Sequence, residues 1–192
     1  MQRQVLEMEE IPALLSRYAG KKPLEIEVGC GNGHFLTEYG ARRKDLLLLG
    51  VDRKNRRCQK SMKKVNHRSL ENVHILYGRA EALTRSLPDS SVRAYHIYFP
   101  DPWPKTKHRR RRFFRMEQLE VLHRTLEPEG RIFFCTDFFD YYLQAKILLL
   151  VHGGFQTQVD PPAGEVTQSL FSRRFQEQGK PVYCAAGSKT RR

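Results

Sequence analysis

The chain has 192 residues, with 34 Lys and Arg against 21 Asp and Glu, a formal net charge of +13 and a pI near 9.9. Its length is enough for one hydrophobic core, and its composition, 40% hydrophobic and 29% charged, is typical of a globular domain rather than a disordered chain. No apolar run approaches the roughly 20 residues of a membrane-spanning helix, which excludes an integral membrane protein of that kind.

Short apolar runs alternate with segments of helical periodicity, which predicts strands and helices in alternation. After an N-terminal segment of residues 1–22, the first predicted elements are a strand over 24–28, a helix ending near 43, a strand over 46–51, a helix beginning near 55, a strand over 73–77 and a helical turn over 80–85. The later ones are a strand over 92–99, a helix over 116–126 ended by Pro128 and Gly130, a strand over 131–135, a helix over 139–152, and short strands over 155–159 and 181–185.

Strands that alternate with helices form βαβ units, so the expected fold class is α/β, a doubly wound, mainly parallel seven-stranded sheet. The last two strands have only a loop between them, which favours an antiparallel C-terminal edge hairpin. We expect residues 1–192 to form a single domain, with a frayed basic tail over 187–192.

Four cysteines, Cys30, Cys58, Cys135 and Cys184, lie far apart and form no C-x-x-C pair, and the first residues lack the apolar stretch of a signal peptide. We therefore expect reduced thiols, a cytoplasmic protein and no structural zinc. The seven histidines show no metal-ligand spacing either, so no metal is expected.

The positive charge is concentrated in two stretches that contain no acidic residue. Residues 53–70 hold eight Lys and Arg, and residues 105–115 hold seven. Since these fifteen leave 19 bases against all 21 acids, the rest of the chain has a net charge of −2. Local basicity of this kind favours a polyanion-binding surface, while the alternative, a solvated helix face, stays open for residues 53–70 in particular.

A glycine cluster, E-V-G-C-G-N-G-H over residues 27–34, follows the first predicted strand. Glycines let the chain turn sharply and let a ligand approach the backbone, next to the unpaired N–H groups of a helix start. A dinucleotide fingerprint would place its third glycine at position 34, where this chain has His34. Asp52 ends the second strand, 21 residues past Gly31, about where an acid hydrogen-bonds ribose hydroxyls.

This combination resembles the S-adenosylmethionine-dependent methyltransferase superfamily, which implies S-adenosyl-L-methionine as the cofactor. Glu27 fits that interpretation, because a carboxylate at the end of a buried strand is costly unless it is paired, and the cofactor's ammonium group would pair with it. The alternative is a glycine turn that binds no ligand.

The most specific segment reads F-P-D-P-W-P-K-T-K-H-R-R-R-R over residues 99–112. Its prolines lack ladder donors and fix φ, so the chain must leave the sheet and hold Asp101 at the carboxyl end of the fourth strand, where α/β sheets bind ligands. The aromatic Trp103 followed by a cationic segment is typical of RNA contacts. The alternatives are a turn-capping role for Asp101 and a packing role for Trp103.

This segment resembles that of the bacterial tRNA (guanine-N7-)-methyltransferases, over about residues 24–185 of the chain. The resemblance implies a Rossmann-like class I methyltransferase fold, tRNA as the partner, and methylation of guanosine 46 in the tRNA variable loop. It implies Asp101 as the catalytic residue and, for the cofactor, Glu27, Gly29, Gly31, Asp52, Arg79, Ala80 and Asp101. For the substrate it implies Trp103, Lys105, His108, Arg109, Arg110, Arg111, Arg112, Asp137, Ser169 and Ser172.

Two positions depart from the family pattern. Arg79 stands where Asp or Asn is usual, which leaves adenine recognition to the backbone of Ala80 or to Glu81. Ser169 and Ser172 occupy the place of a T-x-[YF]-E element, and Ser172 cannot replace a carboxylate that accepts hydrogen bonds from guanine.

Two other functions therefore stay open at this point. One is methylation of another RNA position, such as a ribosomal RNA guanine. The other is a catalytically impaired RNA-binding module. The sequence also leaves both a monomer and a homodimer open.

Overall fold

The structure is a computed structural model that describes residues 3–158, 179 and 181–191. The chain forms two compact units, Met1–Ser86 and Leu87–Arg192. Among the helices within those described ranges, none is both long and apolar enough to cross a membrane.

The first unit alternates helices with parallel strands. Its elements are α1 (Ile11–Tyr18), β1 (Leu24–Val28), α2 (His34–Arg42), β2 (Leu47–Asp52), α3 (Asn55–His67), β3 (Val73–Tyr77) and α4 (Ala80–Ser86). β1 pairs with β2, and β2 pairs with β3, all parallel. Every residue of β1 and β2 is buried, as in parallel strands that are covered on both faces.

The N-terminal segment is tied to the edge of β3. Leu6 exchanges backbone hydrogen bonds with Ile75 and Tyr77 at 2.8 and 3.0 Å. The Arg3 guanidinium donates to the carbonyls of Leu70 and Val73. Neither these contacts nor α1 has a counterpart among the sequence-based predictions.

The second unit contains a mixed sheet. Its elements are β4 (Val92–Tyr98), a 3₁₀ helix (Thr106–Arg111), α5 (Met116–Thr125), β5 (Leu126–Thr136), α6 (Phe139–Val151), β6 (Phe155–Gln158) and β7 (Tyr183–Lys189). β4 and β5 are parallel, whereas β7 is antiparallel to both β5 and β6. The rings of Phe114, Phe134 and Tyr141 pack together in its core, with centroids 5.0–5.2 Å apart.

The strand order is β3-β2-β1-β4-β5-β7-β6. The α/β class and the seven-stranded, mainly parallel sheet are confirmed. The antiparallel edge hairpin is confirmed as well, because β6 is the edge strand and pairs with β7.

β5 begins five residues earlier than the sequence predicts and includes Pro128 and Gly130. Its pairing with β4 shifts register between Val92 and Ala94, and Glu129 has φ +64°. Pro128 and Gly130, which the sequence predicts to end the helix, thus lie in a bulge of β5, and the strand continues through them.

The C-terminal prediction of fraying from residue 187 is wrong for the described residues 187–190. β7 continues to Lys189, where it pairs with Phe155, and the Thr190 amide donates to the Gly154 carbonyl at 3.0 Å.

The expectation of reduced thiols is wrong for two of the four cysteines. Cys135 and Cys184 face each other across β5 and β7 and form a disulfide over a separation of 49 residues. Cys30 and Cys58 are buried free thiols. Sequence spacing gave no sign of the disulfide because antiparallel pairing brings these distant residues together.

Candidate functional site

The glycine loop of the first unit folds over the end of β2. The amides of Gly29 and Cys30 both donate to the Val51 carbonyl, at 2.8 and 3.1 Å. Gly29 and Gly31 have φ of +74° and +56°, a left-handed conformation that side chains disfavour. Among the described residues, a Cβ atom on Gly31 would meet only the Gly29 carbonyl oxygen, at 3.9 Å, so this part of the structure leaves the backbone open to a ligand.

Asp52 is held against this loop. Its Oδ2 atom accepts a hydrogen bond from the Gly31 amide at 3.0 Å, and its Oδ1 atom accepts one from the Lys54 amide at 2.8 Å. The side chain is buried, and the Arg57 guanidinium lies 3.9 Å from Oδ2. The structure therefore brings together the acid and the glycine that the sequence predicts as cofactor ligands.

Glu27 is a buried carboxylate that lacks a complete set of partners. It is 6% exposed, and within the described part of the chain its Oε2 atom has no hydrogen-bond partner. Burial, and secondarily the negative charge of Asp52, raise the pKa of Glu27 well above its usual range. A ligand ammonium group would supply both a donor and a counter-charge, so this unit fits a ligand with a cationic amino-acid end.

Arg79 and Ala80 follow β3. The Arg79 side chain is exposed and lies 3.9 Å from the Glu81 carboxylate, while its carbonyl accepts from the amides of Ala82 and Leu83 at the start of α4. Asp52 is linked to this turn, since its carbonyl accepts a hydrogen bond from the Gly78 amide at 3.0 Å.

The face of α3 that points away from the core is basic. Cys58, Ser61, Met62 and Val65 are buried at helical spacing. The rest of the helix surface presents the exposed bases Arg56, Arg57, Lys60 and Lys63, and the helix has no acid in its first turn. Arg53 and Arg68 are exposed just outside its two ends.

In the second unit, the chain leaves β4 through a conformationally strained loop. Phe99 and Trp103 have φ of +49° and +43°, each costing on the order of 1–3 kcal/mol for a residue other than glycine. The Phe99 amide still donates to the Cys135 carbonyl at 2.7 Å, and Asp101 lies in the middle of the loop with its side chain exposed.

Asp137 follows β5 in the same way that Asp101 follows β4, and it too is exposed. Since β4 and β5 are parallel neighbours, both carboxylates follow the same edge of this sheet. Lys105 is exposed at the start of the 3₁₀ helix. Ser169 and Ser172 lie outside the described residues.

The 3₁₀ helix sorts its basic residues into rows, because side chains three positions apart eclipse each other in this helix type. Arg109 has this spacing to Arg112, the extended residue that directly follows the helix, as His108 has to Arg111 and Lys107 to Arg110 within it.

The second of these rows packs on Trp103. The Arg111 guanidinium lies 4.9 Å from the indole centroid, within cation–π range. The His108 ring meets the indole edge-on at 5.9 Å. Lys107 and Arg110, by contrast, are exposed and form no ion pair with another described residue.

The first row contacts α6 instead. Arg109 pairs with Asp140 Oδ1 at 2.7 Å and keeps a partly exposed side chain. Arg112 is fully buried, at 0% exposure, and pairs with Asp140 Oδ2 at 2.7 Å. A phosphate-contacting residue is expected to be exposed, so the environment of Arg112 differs from the one that its basic sequence context suggests.

No sequence pattern points to the α6 partners Asp140 and Gln144. Asp140 is the acid in the first turn of α6, a position common for helix stabilisation, and nothing in the spacing links it to residues 28 or 31 positions earlier.

A family model described as "Putative methyltransferase" matches residues 21–185. The chain is 29% identical to a tRNA (guanine-N(7)-)-methyltransferase of Rubrobacter xylanophilus, over 92% of the chain and 82% of that protein. It is 33% identical to the protein of the same name from Nitrosococcus oceani, over 82% of the chain and 68% of that protein.

Two solved methyltransferase structures align with the chain. The 16S rRNA methyltransferase KamB aligns with a TM-score of 0.66 and 15% identity, over 98% of this chain and 96% of its own. The antibiotic-resistance methyltransferase Kmr aligns with a TM-score of 0.64 and 16% identity, over 93% and 92%. At this identity the similarity extends to the fold alone.

Proposed function

Because the chain belongs to the tRNA (guanine-N7-)-methyltransferase family, we propose that it methylates N7 of guanosine 46 in the variable loop of tRNA, using S-adenosyl-L-methionine. The observation that carries the proposal is the strained P-D-P-W loop, which presents an exposed carboxylate immediately before a cationic 3₁₀ helix. A cytoplasmic location goes with a tRNA substrate.

The first unit would bind the cofactor. The unpartnered Glu27 oxygen would accept from the cofactor's ammonium group, and Asp52 would accept from the ribose hydroxyls. Gly29 and Gly31 would let the ligand approach the backbone, and the amide of Ala80 would meet the adenine where Arg79 cannot. The bound cofactor supplies an electrophilic methyl group on a sulfonium.

The acceptor atom needs alignment more than deprotonation. Guanine N7 has an in-plane lone pair and carries no proton, so the site requires no strong general base. Asp101 would stabilise the positive charge that develops on the purine during transfer, and Lys105 and Asp137 would hold the guanosine in line. Ser169 would add a hydroxyl contact, and Ser172 would approach the guanine edge without a carboxylate.

The basic surfaces would bind the tRNA backbone. Lys107 and Arg110 are the exposed row of the 3₁₀ helix, while His108, Arg109 and Arg111 flank it. Trp103, backed by Arg111, offers a ring for stacking on a base. The exposed face of α3 provides further phosphate contacts.

The proposal is tested by incubating tRNA transcripts with methyl-labelled cofactor and mapping the product by chemical cleavage at N7-methylguanosine. We expect one cleavage site, at position 46, that disappears from a transcript with adenosine there. The matched variants are Asp101→Asn, expected to lose methyl transfer while retaining tRNA binding, and Glu117→Gln, an exposed acid outside the site, expected to retain both.

Two results would contradict this function. Labelling of a ribosomal RNA guanine but not of tRNA would favour the alternative substrate, for which Ser172 is the sequence support. Cofactor and tRNA binding without any labelled product would indicate an RNA-binding module.

A further inference from the structure

We propose that Arg112 is a positioning residue that anchors the P-D-P-W loop to α6 and thereby holds Asp101 in place, rather than a contact to RNA phosphate. The inference rests on the proposed function, since Asp101 matters only if methyl transfer occurs there.

The contacts of Arg112 divide between the loop and the helix. Its Nε atom donates to the Pro102 carbonyl at 2.8 Å. Its Nη1 and Nη2 atoms donate to Gln144 Oε1 at 2.6 Å and to Asp140 Oδ2 at 2.7 Å. One planar guanidinium therefore joins the peptide group between Pro102 and Trp103 to two side chains on successive turns of α6.

The surroundings leave Arg112 no route to solvent. Its guanidinium lies 4.7 Å from the Tyr141 ring centroid and 5.8 Å from that of Phe138, and the side chain is fully buried. Removing a paired, buried guanidinium from these partners to reach a phosphate would leave the carbonyl and carboxylate unsatisfied, which is costly. The positive charge of Arg112 therefore serves contacts within the protein and is not available to a phosphate.

The loop needs such an anchor. Phe99 and Trp103 are both left-handed, and strained residues persist only where their surroundings fix them. Pro100 and Pro102 restrict φ on both sides of Asp101, so holding the Pro102 carbonyl constrains the carboxylate between them. Only Arg fits this role, because the ammonium of Lys cannot present donors in three fixed directions.

Trp103 makes the anchor measurable, since it is the single tryptophan of the chain and lies in this loop. The variants are Arg112→Met, which keeps the apolar stem, and Arg112→Lys, which keeps the charge. The control is Arg110→Met, which removes a charge two residues away in the exposed row. Each protein is assayed for tRNA kcat and KM, for the salt dependence of tRNA binding, and for quenching of Trp103 fluorescence by acrylamide.

We expect Arg112→Met to lower kcat by about 10²-fold with KM for tRNA nearly unchanged, and to make Trp103 more accessible to acrylamide. Arg112→Lys should rescue little of the kcat despite its charge. Arg110→Met should do the opposite, raising KM and flattening the salt dependence while leaving Trp103 quenching unchanged.

If Arg112→Met fails to fold, Gln144→Leu removes one acceptor of the anchor and should give a smaller change in the same direction. A raised KM and flatter salt dependence in Arg112→Met, with wild-type kcat and Trp103 quenching, would overturn the inference. If the wild-type protein makes no N7-methylguanosine, the proposed function fails, and the fluorescence measurement still decides whether Arg112 holds the loop.

Discussion

A buried carboxylate with an unpaired oxygen destabilises the protein that carries it, and such residues are retained where a ligand needs them. Among the described residues, nothing hydrogen-bonds to the Oε2 atom of Glu27, whereas Glu25, two positions earlier on β1, accepts a hydrogen bond from the Tyr39 hydroxyl at 3.0 Å. The two glutamates are equally buried but differ in partners, so they form a matched pair for a stability measurement.

Glu27→Gln should stabilise the ligand-free protein at neutral pH. The raised pKa of Glu27 means that the unfolded chain releases this proton at a lower pH than the folded chain. The free energy of unfolding therefore falls as pH rises above about 4.3, the pKa of a glutamate in the unfolded chain. The loss of stability is complete once the pH exceeds the raised pKa of the folded protein. The variant cannot ionise, so we expect a gain on the order of 1 kcal/mol at pH 8 and none at pH 4.

Thermal melts with and without S-adenosylmethionine measure both consequences. Saturating cofactor should raise the Tm of the Glu27→Gln variant less than that of the wild type, because the ammonium group has lost its counter-charge. Glu25→Gln is the control, and it should leave the cofactor-induced shift in Tm at its wild-type size. A Glu27→Gln protein with an unchanged cofactor-induced shift would remove Glu27 from the binding site.

At the residue scale, the sequence predicts local arrangements better than distant contacts. Asp52 and Gly31, which the spacing assigns to one ligand site, are in contact, because a loop that follows a parallel strand is a local feature. In the sequence, Arg112 is indistinguishable from the other basic residues of 105–115 and is predicted, like them, to contact the substrate. Its burial depends on Asp140 and Gln144, which lie about 30 residues away on a helix whose packing has no periodic signature in the basic segment.

At the element scale, the predicted strands over 24–28 and 73–77 agree with β1 and β3 residue for residue. Buried parallel strands are short continuous apolar runs, and these are strong signals. β5 is the exception, since it begins in E-P-E-G, a composition typical of turns, and only pairing with β4 extends the strand through it. The 3₁₀ helix over Thr106–Arg111 is likewise not predicted from the sequence, because it depends on a hydrogen-bonding pattern and not on residue type.

The basic face of α3 tests whether that helix binds RNA. We expect the double variant Lys60→Gln/Lys63→Gln to bind tRNA more weakly. Each phosphate contact releases counterions from the RNA, so losing two contacts should reduce the steepness of log K against log salt by about 1 to 2. Both lysines are exposed and lie on the face opposite the buried Cys58 and Met62, so the fold should be unaffected.

The control for α3 is Lys21→Gln/Lys44→Gln, which removes the same charge from exposed lysines outside the helix. It should leave the salt slope within error of the wild type. Equal slopes for both double variants and the wild type would make the α3 face a solvated surface, the alternative that composition alone left open.

At the scale of the whole molecule, the positive charge is concentrated in two stretches and partly neutralised by ion pairs. Outside residues 53–70 and 105–115 the chain carries a net charge of −2, and within the second stretch Arg109 and Arg112 are paired with Asp140. The formal charge of +13 therefore overstates what the protein offers to a polyanion. Under the proposed function, the charge offered to RNA is that of the exposed bases of the two stretches, without the buried Arg112.

The Cys135–Cys184 disulfide constrains the second unit over a long stretch of chain. A cross-link that spans 49 residues removes enough conformational entropy from the unfolded chain to contribute about 4 kcal/mol in the loop-closure description. Cys135 also precedes Thr136 and Asp137, so the bond fixes the end of β5 from which the predicted guanosine contact emerges.

Reduction should therefore lower the Tm of the wild-type protein. The double variant Cys135→Ala/Cys184→Ala should melt below the oxidised wild type, and reductant should not change its Tm. Thiol titration of the denatured, unreduced protein should find two thiols, from Cys30 and Cys58, and all four cysteines after reduction. Cys58→Ser is the control, because that thiol is buried outside the disulfide and its loss should leave the effect of reductant intact. Four thiols before reduction would mean that the pair is reduced in solution, as the sequence spacing predicts, and that antiparallel pairing alone holds β7 against β5.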